Sequence, residues 1–282
     1  MPQIKRAGQA TLHYRIDDFT DPWKHAGTIV LQHGYARSSQ FWQPWIPYLS
    51  RFYRIVRPEL RGHAGAPVDF DTARDSTLEN YVGDALAVLD ELQLESAHFC
   101  GESFGGIIGM ALAAQHPARV RTLTFVASPV YQNRKSQDVY AGGFPTREEA
   151  LRTLGTRQWA ERVYGAAGFF PAGTDEGLRR WYVGQIARTD PEVLCGLYGL
   201  LRHASAKDLL PRISAPVLGL YPTAGLLTGN EQETLLRAGI RNLRLVHLPT
   251  PSHAIQTLYP ATCAGHLLHF AAQHDGIAAR DS

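Results

Sequence analysis

The sequence predicts an α/β protein whose mostly parallel central sheet is flanked by helices and carries an inserted helical lid. Short apolar runs rich in Val, Ile and Leu recur along the chain, and segments with helical periodicity separate several of them. These two observations predict βαβ units and therefore a parallel sheet. The lid is predicted because strand-like runs stop at residue 127 and resume only near residue 215.

Six runs account for the predicted strands. Each is rich in Val, Ile or Leu, which is typical of strands buried in a parallel sheet. They cover residues 27–32, 53–58, 96–100, 120–127, 216–221 and 243–248.

Helical periodicity is clearest after residue 78, where Leu78, Val82, Ala85 and Leu89 share one face and Ser76 with Glu79 predicts a capping box. A second helix is predicted for residues 104–115 and a last one for about 259–273. Residues 130–206 contain helical stretches rich in arginine and aromatic residues and no convincing strand. We therefore predict a core of residues 1–129 and 207–282 and a helical lid of residues 130–206.

Composition excludes several classes of function. The 282 residues are 44% hydrophobic and 19% charged, as in an ordinary globular protein, and the net charge of +2 comes without a basic run that would favour nucleic acid. No signal-peptide or membrane-span pattern is present, which predicts a cytoplasmic protein without a membrane partner. The three cysteines, Cys100, Cys195 and Cys263, are too far apart for a metal motif, so we expect no metal and no cofactor. The oligomeric state is left open.

The strongest motif lies at residues 101–105, which read Gly-Glu-Ser-Phe-Gly. It follows a predicted strand and opens a predicted helix, the context that a nucleophile elbow requires. Small flanking residues are needed because the strand and helix pass close to each other at such a turn. Ser103 is therefore the predicted nucleophile. The alternative is a glycine-rich turn without chemistry.

Two further motifs fit acyl-transfer chemistry. Residues 33–35, His-Gly-Tyr, end the strand of residues 27–32, where a backbone N–H can face a developing oxyanion. We predict an oxyanion hole made by the N–H groups of Tyr35 and Phe104. His253 follows the last predicted strand in a turn, from which a general base could reach Ser103. The other histidines near this end of the chain fall on strand or helix patterns.

These residues resemble the α/β-hydrolase family over nearly the whole chain, from about residue 8 to 273. The His33-Gly34 pair, residues 61–63 (Arg-Gly-His), the elbow and Ser252-His253 occur in the order and with the spacing of that family. The stretch around the elbow, residues 97–106, is similar to 3-oxoadipate enol-lactonases. The resemblance implies a serine hydrolase that uses Ser103 and His253 and acts on a small-molecule substrate.

The third member of the triad is missing from its usual place. The family carries an aspartate shortly after the strand that here covers residues 216–221, and Gly225 occupies that position. Without such an acid, other triads lose about 10⁴ in kcat. Asp138, Glu231 and the hydroxyl of Ser128 are the candidates for orienting His253, but the first two are also ordinary surface charges.

The predicted lid suggests a substrate class. Its arginines could hold a substrate carboxylate, and its aromatic residues could hold the apolar part of the substrate. The alternative is a solvated, salt-bridged surface, because acidic residues accompany the arginines. The candidate substrate contacts are Arg134, Arg157, Trp159, Tyr164 and Trp181.

The leading function is hydrolysis of an ester, lactone or amide bond of a small, carboxylated molecule through an acyl-enzyme on Ser103. Two other functions stay open on the same scaffold. One is a lyase or C–C cleaving enzyme that uses the same serine and histidine, and the other is a binding protein that has lost catalysis.

Overall fold

The structure is a computed structural model, and it describes residues 1–165, 169–223, 225 and 228–279. An eight-stranded sheet in the order β1-β2-β4-β3-β5-β6-β7-β8 forms its centre. The strands are β1 Gln3–Ile4, β2 Leu12–Asp17, β3 Thr28–Gln32, β4 Arg54–Pro58, β5 Ala97–Glu102, β6 Val120–Val126, β7 Val217–Pro222 and β8 Leu243–Leu248. The first two pairings, β1 with β2 and β2 with β4, are antiparallel, and the other five are parallel. The predicted fold class is confirmed.

Helices cover both faces of the sheet. The α-helices are α1 Ile46–Leu49, α2 Leu78–Glu91, α3 Phe104–Gln115, α4 Arg134–Ala141, α5 Arg147–Tyr164, α6 Glu176–Ile186, α7 Pro191–Leu201, α8 Asn230–Gly239, α9 Ile255–Leu258 and α10 Pro260–Asp275. Three short 3₁₀ helices cover Ser39–Trp45, Pro117–Arg119 and Lys207–Arg212. One buried cluster includes residues of α2 and α3, and a second on the other side of the sheet includes residues of α1 and α10.

Three local expectations need correction. Strands β1 and β2 were not predicted, because β1 has two residues and β2 carries polar side chains at the sheet edge instead of a continuous apolar run. The cap of α2 is Thr77, whose hydroxyl accepts from the Asn80 N–H, and not Ser76. The last helix, predicted for about residues 259–273, is α10, and a short helix α9 that was not predicted ends just before Pro260 starts it.

The central helix α3 is buried along nearly its whole length, which its small residues allow. A Cβ on Gly109 would lie 2.7 Å from Leu123 Cδ1 of β6, so no side chain fits there. Close packing of α3 on β5 and β6 fixes the turn that joins β5 to α3.

Helices α4 to α7 form a cap over the carboxyl end of the sheet, between β6 and β7. The chain leaves and re-enters the core at one neck, where the Ala206 N–H donates to the Val130 carbonyl (2.8 Å) and Tyr131 bridges to Ser205. The division into separate units at residues 130 and 206 stays a prediction. Residues 166–168 of the predicted lid and residues 280–282 of the predicted core lie outside the described part of the chain.

Within the described ranges, none of the helices combines the length and the apolar character that crossing a membrane requires.

Candidate active site

Ser103 occupies a strained turn between β5 and α3. Its backbone has φ 52° and ψ −116°, a region that a residue with a side chain rarely adopts. The turn is held by the Ser103 N–H, which donates to the Val126 carbonyl (3.0 Å), and by the Gly106 N–H, which donates to the Ser103 carbonyl (3.0 Å). A Cβ on Gly101 would overlap the Gly105 carbonyl, so the elbow needs glycine.

His253 lies in the loop between β8 and α9 and lines the same cavity as Ser103. Its residue surface is 7% exposed. Burial, followed by the positive charge of Arg37, lowers the pKa of His253 to about 3. The imidazole is therefore neutral at ordinary pH, which is the form that accepts a proton. The loop is anchored on the cap, because the Ser252 hydroxyl donates to the Phe169 carbonyl (2.7 Å).

The loop after β3 packs directly against the elbow. The Gly34 N–H donates to Glu102 Oε2 (2.9 Å), and a Cβ on Gly34 would lie 2.9 Å from the Ser103 Cβ. This contact holds the next residue, Tyr35, beside the elbow, and Tyr35 and Phe104 both line the cavity. Phe104 is the first residue of α3, where backbone N–H groups have no partner within the helix.

Two buried residues, Glu59 and His33, hold the loop after β3 in place. The His33 ring accepts from the Leu60 N–H (3.0 Å) through Nε2, which also lies 3.1 Å from Glu59 Oε2. Glu59 accepts from the Ser39 N–H (3.0 Å). Glu59 thus stabilises the loop and does not reach His253 in any described contact.

The part of the chain that contains the loop after β3 and the elbow is matched by a family model. The model, described as alpha/beta hydrolase fold, covers residues 27–173. The chain is 30% identical to a probable esterase of Oryza sativa subsp. japonica over 67% of this chain and 70% of that protein. The chain belongs to the alpha/beta hydrolase fold family. It is a hydrolase, in agreement with the esterase, enol-lactonase and carbamate hydrolases among its relatives.

Other members of the family extend the likeness to the whole fold. Over 73% of this chain and 74% of the relative, the sequence is 26% identical to 3-oxoadipate enol-lactonase 1 of Acinetobacter baylyi. The structure is similar to that of the enol-lactonase from Burkholderia xenovorans LB400, with a TM-score of 0.82 and 25% identity over 96% of this chain and all of that one.

Gly225, which the sequence predicts to stand at the usual position of the acid, has no room for a side chain in the structure. A Cβ would lie 2.6 Å from Pro222 Cγ and 2.7 Å from Thr228 Oγ1. The neighbouring residues 224, 226 and 227 of this stretch lie outside the described residues.

None of the three candidates for the missing acid contacts His253 in the described part of the chain. Asp138 is exposed and pairs with Arg134 (3.2 Å), and Glu231 accepts from the Tyr131 hydroxyl (2.7 Å). Ser128 is buried under the elbow, where its hydroxyl donates to the Gly101 carbonyl (3.1 Å). The structure does not bring these side chains to the histidine.

The carboxylate beside His253 is Glu102, which precedes the nucleophile. Its Oε1 lies 3.7 Å from His253 Nε2 and has no hydrogen-bond partner among the described residues. Burial raises the pKa of Glu102, while the Arg37 charge and the Gly34 N–H act in the opposite direction. Sequence reasoning missed Glu102, although it occupies the variable position of the elbow motif.

The predicted lid contacts separate into two groups. Tyr164 lines the cavity, and Trp159 packs edge-on against Tyr35 with ring centroids 6.2 Å apart. Arg134 and Arg157 are exposed and do not line the cavity, and Trp181 packs on Phe41 outside it. The two arginines of the cavity are instead Arg37, after β3, and Arg147, at the start of α5.

Proposed function

We propose that the protein hydrolyses an ester, lactone or amide bond of a small molecule through an acyl-enzyme on Ser103. The observation that supports this most directly is a serine on a strained strand-to-helix turn that shares one cavity with a buried, neutral histidine. The esterases and lactonases among the relatives favour an ester or lactone over an amide.

The reaction follows from these residues. His253 takes the proton of the Ser103 hydroxyl as Oγ attacks the carbonyl carbon, and the oxygen that gains negative charge accepts from the N–H groups of Tyr35 and Phe104. When the tetrahedral intermediate collapses, the bond to the leaving group breaks and His253 returns its proton to that group. A water molecule then releases the acyl group by the same steps.

Glu102 takes the place of the absent acid in this proposal. Once His253 has accepted the proton, its ring is a cation, and the carboxylate 3.7 Å away stabilises that cation by direct electrostatic attraction. The bond from the Gly34 N–H to Glu102 Oε2 holds the carboxylate in place. Glu102 acts through the histidine and is therefore a positioning residue.

Labelling with a fluorophosphonate probe tests the nucleophile. Wild-type protein and the Ser205→Ala control, which changes an exposed serine, should both be labelled, whereas Ser103→Ala should not be. Turnover of 4-nitrophenyl acetate should fall equally in Ser103→Ala, His253→Ala and the double variant, because the two residues act as one unit. Labelling of Ser103→Ala, or losses that add up in the double variant, would contradict the mechanism.

Mass spectrometry of protein quenched during turnover distinguishes hydrolysis from the other chemistries. A covalent acetyl group on the peptide that contains Ser103 is expected. A folded, active wild-type protein without this adduct would favour a mechanism in which Ser103 and His253 only move protons.

A further inference from the structure

Arg147 is a buried cation without a counter-ion in the described part of the chain. It lines the cavity, its residue surface is 1% exposed, and its Nε and Nη2 have no hydrogen-bond partner among the described residues. Its guanidinium carbon lies 4.0 Å from the ring centroid of Tyr198, 4.8 Å from that of Tyr140 and 4.9 Å from that of Tyr35. The three rings stabilise the positive charge, but they leave these N–H groups without an acceptor.

Arg37 repeats this arrangement on the core side of the cavity. It is 2% exposed, lies over the rings of Tyr164 (4.8 Å) and Tyr182 (4.7 Å), and leaves Nε and Nη1 without a partner within the described ranges. Its charge is partly balanced, because it lies close enough to Glu102 to oppose the rise in pKa that burial causes at that carboxyl.

Two exposed arginines of the cap are paired, in contrast to these two. Arg152 makes a bidentate pair with Glu192 (2.8 and 2.9 Å), and Arg202 pairs with Glu148 (3.2 Å). Moving a cation into a protein interior without a partner anion costs roughly several kcal/mol, even after the surrounding protein has adjusted. Among the described residues, Arg37 has the buried carboxyl of Glu102 beside it. Arg147 has no such neighbour among them, so the cavity holds an excess of positive charge at Arg147.

A second depression of the surface does not show this imbalance. It lies where β3 and β6 begin and is larger, but the charges that line it are paired, as in the contact of Arg121 with Asp275 (2.5 Å). The unpaired charge thus lies beside the nucleophile.

We propose that Arg147 binds a carboxylate of the substrate, so that the protein acts on small monoanionic esters or lactones, with Arg37 adding to the positive potential of the site. The guanidinium offers a fork that matches a carboxylate, and the surrounding tyrosine rings fit the apolar part of the substrate. This inference rests on the proposed hydrolysis at Ser103 and names its substrate class.

Matched substrates test the selectivity. For mono(4-nitrophenyl) glutarate, wild-type kcat/KM should exceed that for its methyl ester, and Arg147→Met should lower the ratio of the two values about 100-fold. The change should lie mainly in KM. Arg152→Gln, which alters a paired, exposed arginine of the same helix, should keep the wild-type ratio. A wild-type ratio near one, or an unchanged ratio in Arg147→Met, would overturn the proposal.

Binding without turnover separates this proposal from the mechanism. Glutarate should raise the Tm of Ser103→Ala protein, and dimethyl glutarate should not. The shift should disappear in Ser103→Ala/Arg147→Met and persist in Ser103→Ala/Arg152→Gln. If glutarate stabilises the protein but Ser103 proves not to be labelled, only the mechanism fails. Equal shifts with both ligands, or none with glutarate, would overturn the anion site, and this comparison within Ser103→Ala needs no second variant to fold.

Discussion

At the scale of single residues, the charges around His253 predict how activity depends on pH. Because the pKa of His253 is lowered to about 3, the base is neutral well below pH 6.5, and kcat/KM for neutral 4-nitrophenyl acetate should stay level as pH falls from 8 to 5. Replacing Arg37 by Gln removes a positive neighbour, so the pKa of His253 should rise and the acid limb should move to higher pH.

Glu102→Gln should act on kcat and not on the acid limb. Loss of the carboxylate disfavours the imidazolium that forms during turnover, so kcat at pH 8 should fall about tenfold to a hundredfold, with little change in KM. Because burial raises the pKa of Glu102, this carboxyl is already protonated where His253 titrates, and the acid limb should stay in place. Glu102→Asp should restore part of kcat. The same profiles check this expectation, and an unchanged kcat at pH 8 would show that Glu102 does not stabilise the histidine cation.

Gly225 shows why the absent acid cannot be restored by one substitution. A Cβ there would lie 2.6 Å from the Pro222 ring and 2.7 Å from Thr228 Oγ1, so Gly225→Asp should lower the free energy of unfolding by about 1–3 kcal/mol and should not raise kcat. Gly225→Ala introduces the same Cβ without the carboxylate and should be destabilised to a similar degree. Several-fold higher kcat in Gly225→Asp at unchanged stability, measured by urea unfolding, would contradict this account.

At the scale of elements, the parts that sequence predicts well are those whose cause is local. The strand, the glycines and the helix around Ser103 are adjacent in sequence, and β8 was predicted at its observed bounds. The distance from Glu102 to His253 depends on how β5 and the loop after β8 meet, so no spacing in the chain reveals it. Arg147 and Arg134 are both arginines near the start of a cap helix, and only the folded cap places Arg147 in the cavity and Arg134 on the surface.

A buried amide also stabilises the junction of core and cap. Gln232 of α8 accepts from the Val130 N–H (2.6 Å) and donates to the Tyr131 carbonyl (3.0 Å), where the chain leaves β6 for the cap. Gln232→Leu should lower the free energy of unfolding by about 2–3 kcal/mol, because it leaves buried backbone groups without partners. Gln273→Leu, on the exposed side of α10, serves as the control in urea titrations. Equal effects of the two changes would show that the amide is not needed.

At the scale of the whole molecule, sequence predicted the parallel layers but not the antiparallel edge. The central strands are apolar throughout because helices cover both of their faces, and this is a strong signal. Strand β2 is half-buried toward its end and lies next to the edge strand β1, so its polar residues conceal it. The core of the molecule also contains buried histidines. Their ionisation determines how the free energy of unfolding changes as the pH falls.

Buried histidines predict that the fold loses stability on acidification. Burial, and then His33, lowers the pKa of His63 to about 3, as burial does for His253. Below pH 6.5 the unfolded chain binds protons that the folded chain does not, so the free energy of unfolding should fall by about 1.4 kcal/mol per pH unit for each such histidine until pH approaches 3. In the His63→Gln variant, the unfolded chain has one histidine fewer that can bind a proton on unfolding. The variant's loss of stability relative to wild type should therefore be smaller at pH 5 than at pH 8, by about 2 kcal/mol, in urea titrations at both pH values. An equal loss at pH 5 and pH 8 would mean that His63 binds its proton as readily in the folded protein as in the unfolded chain.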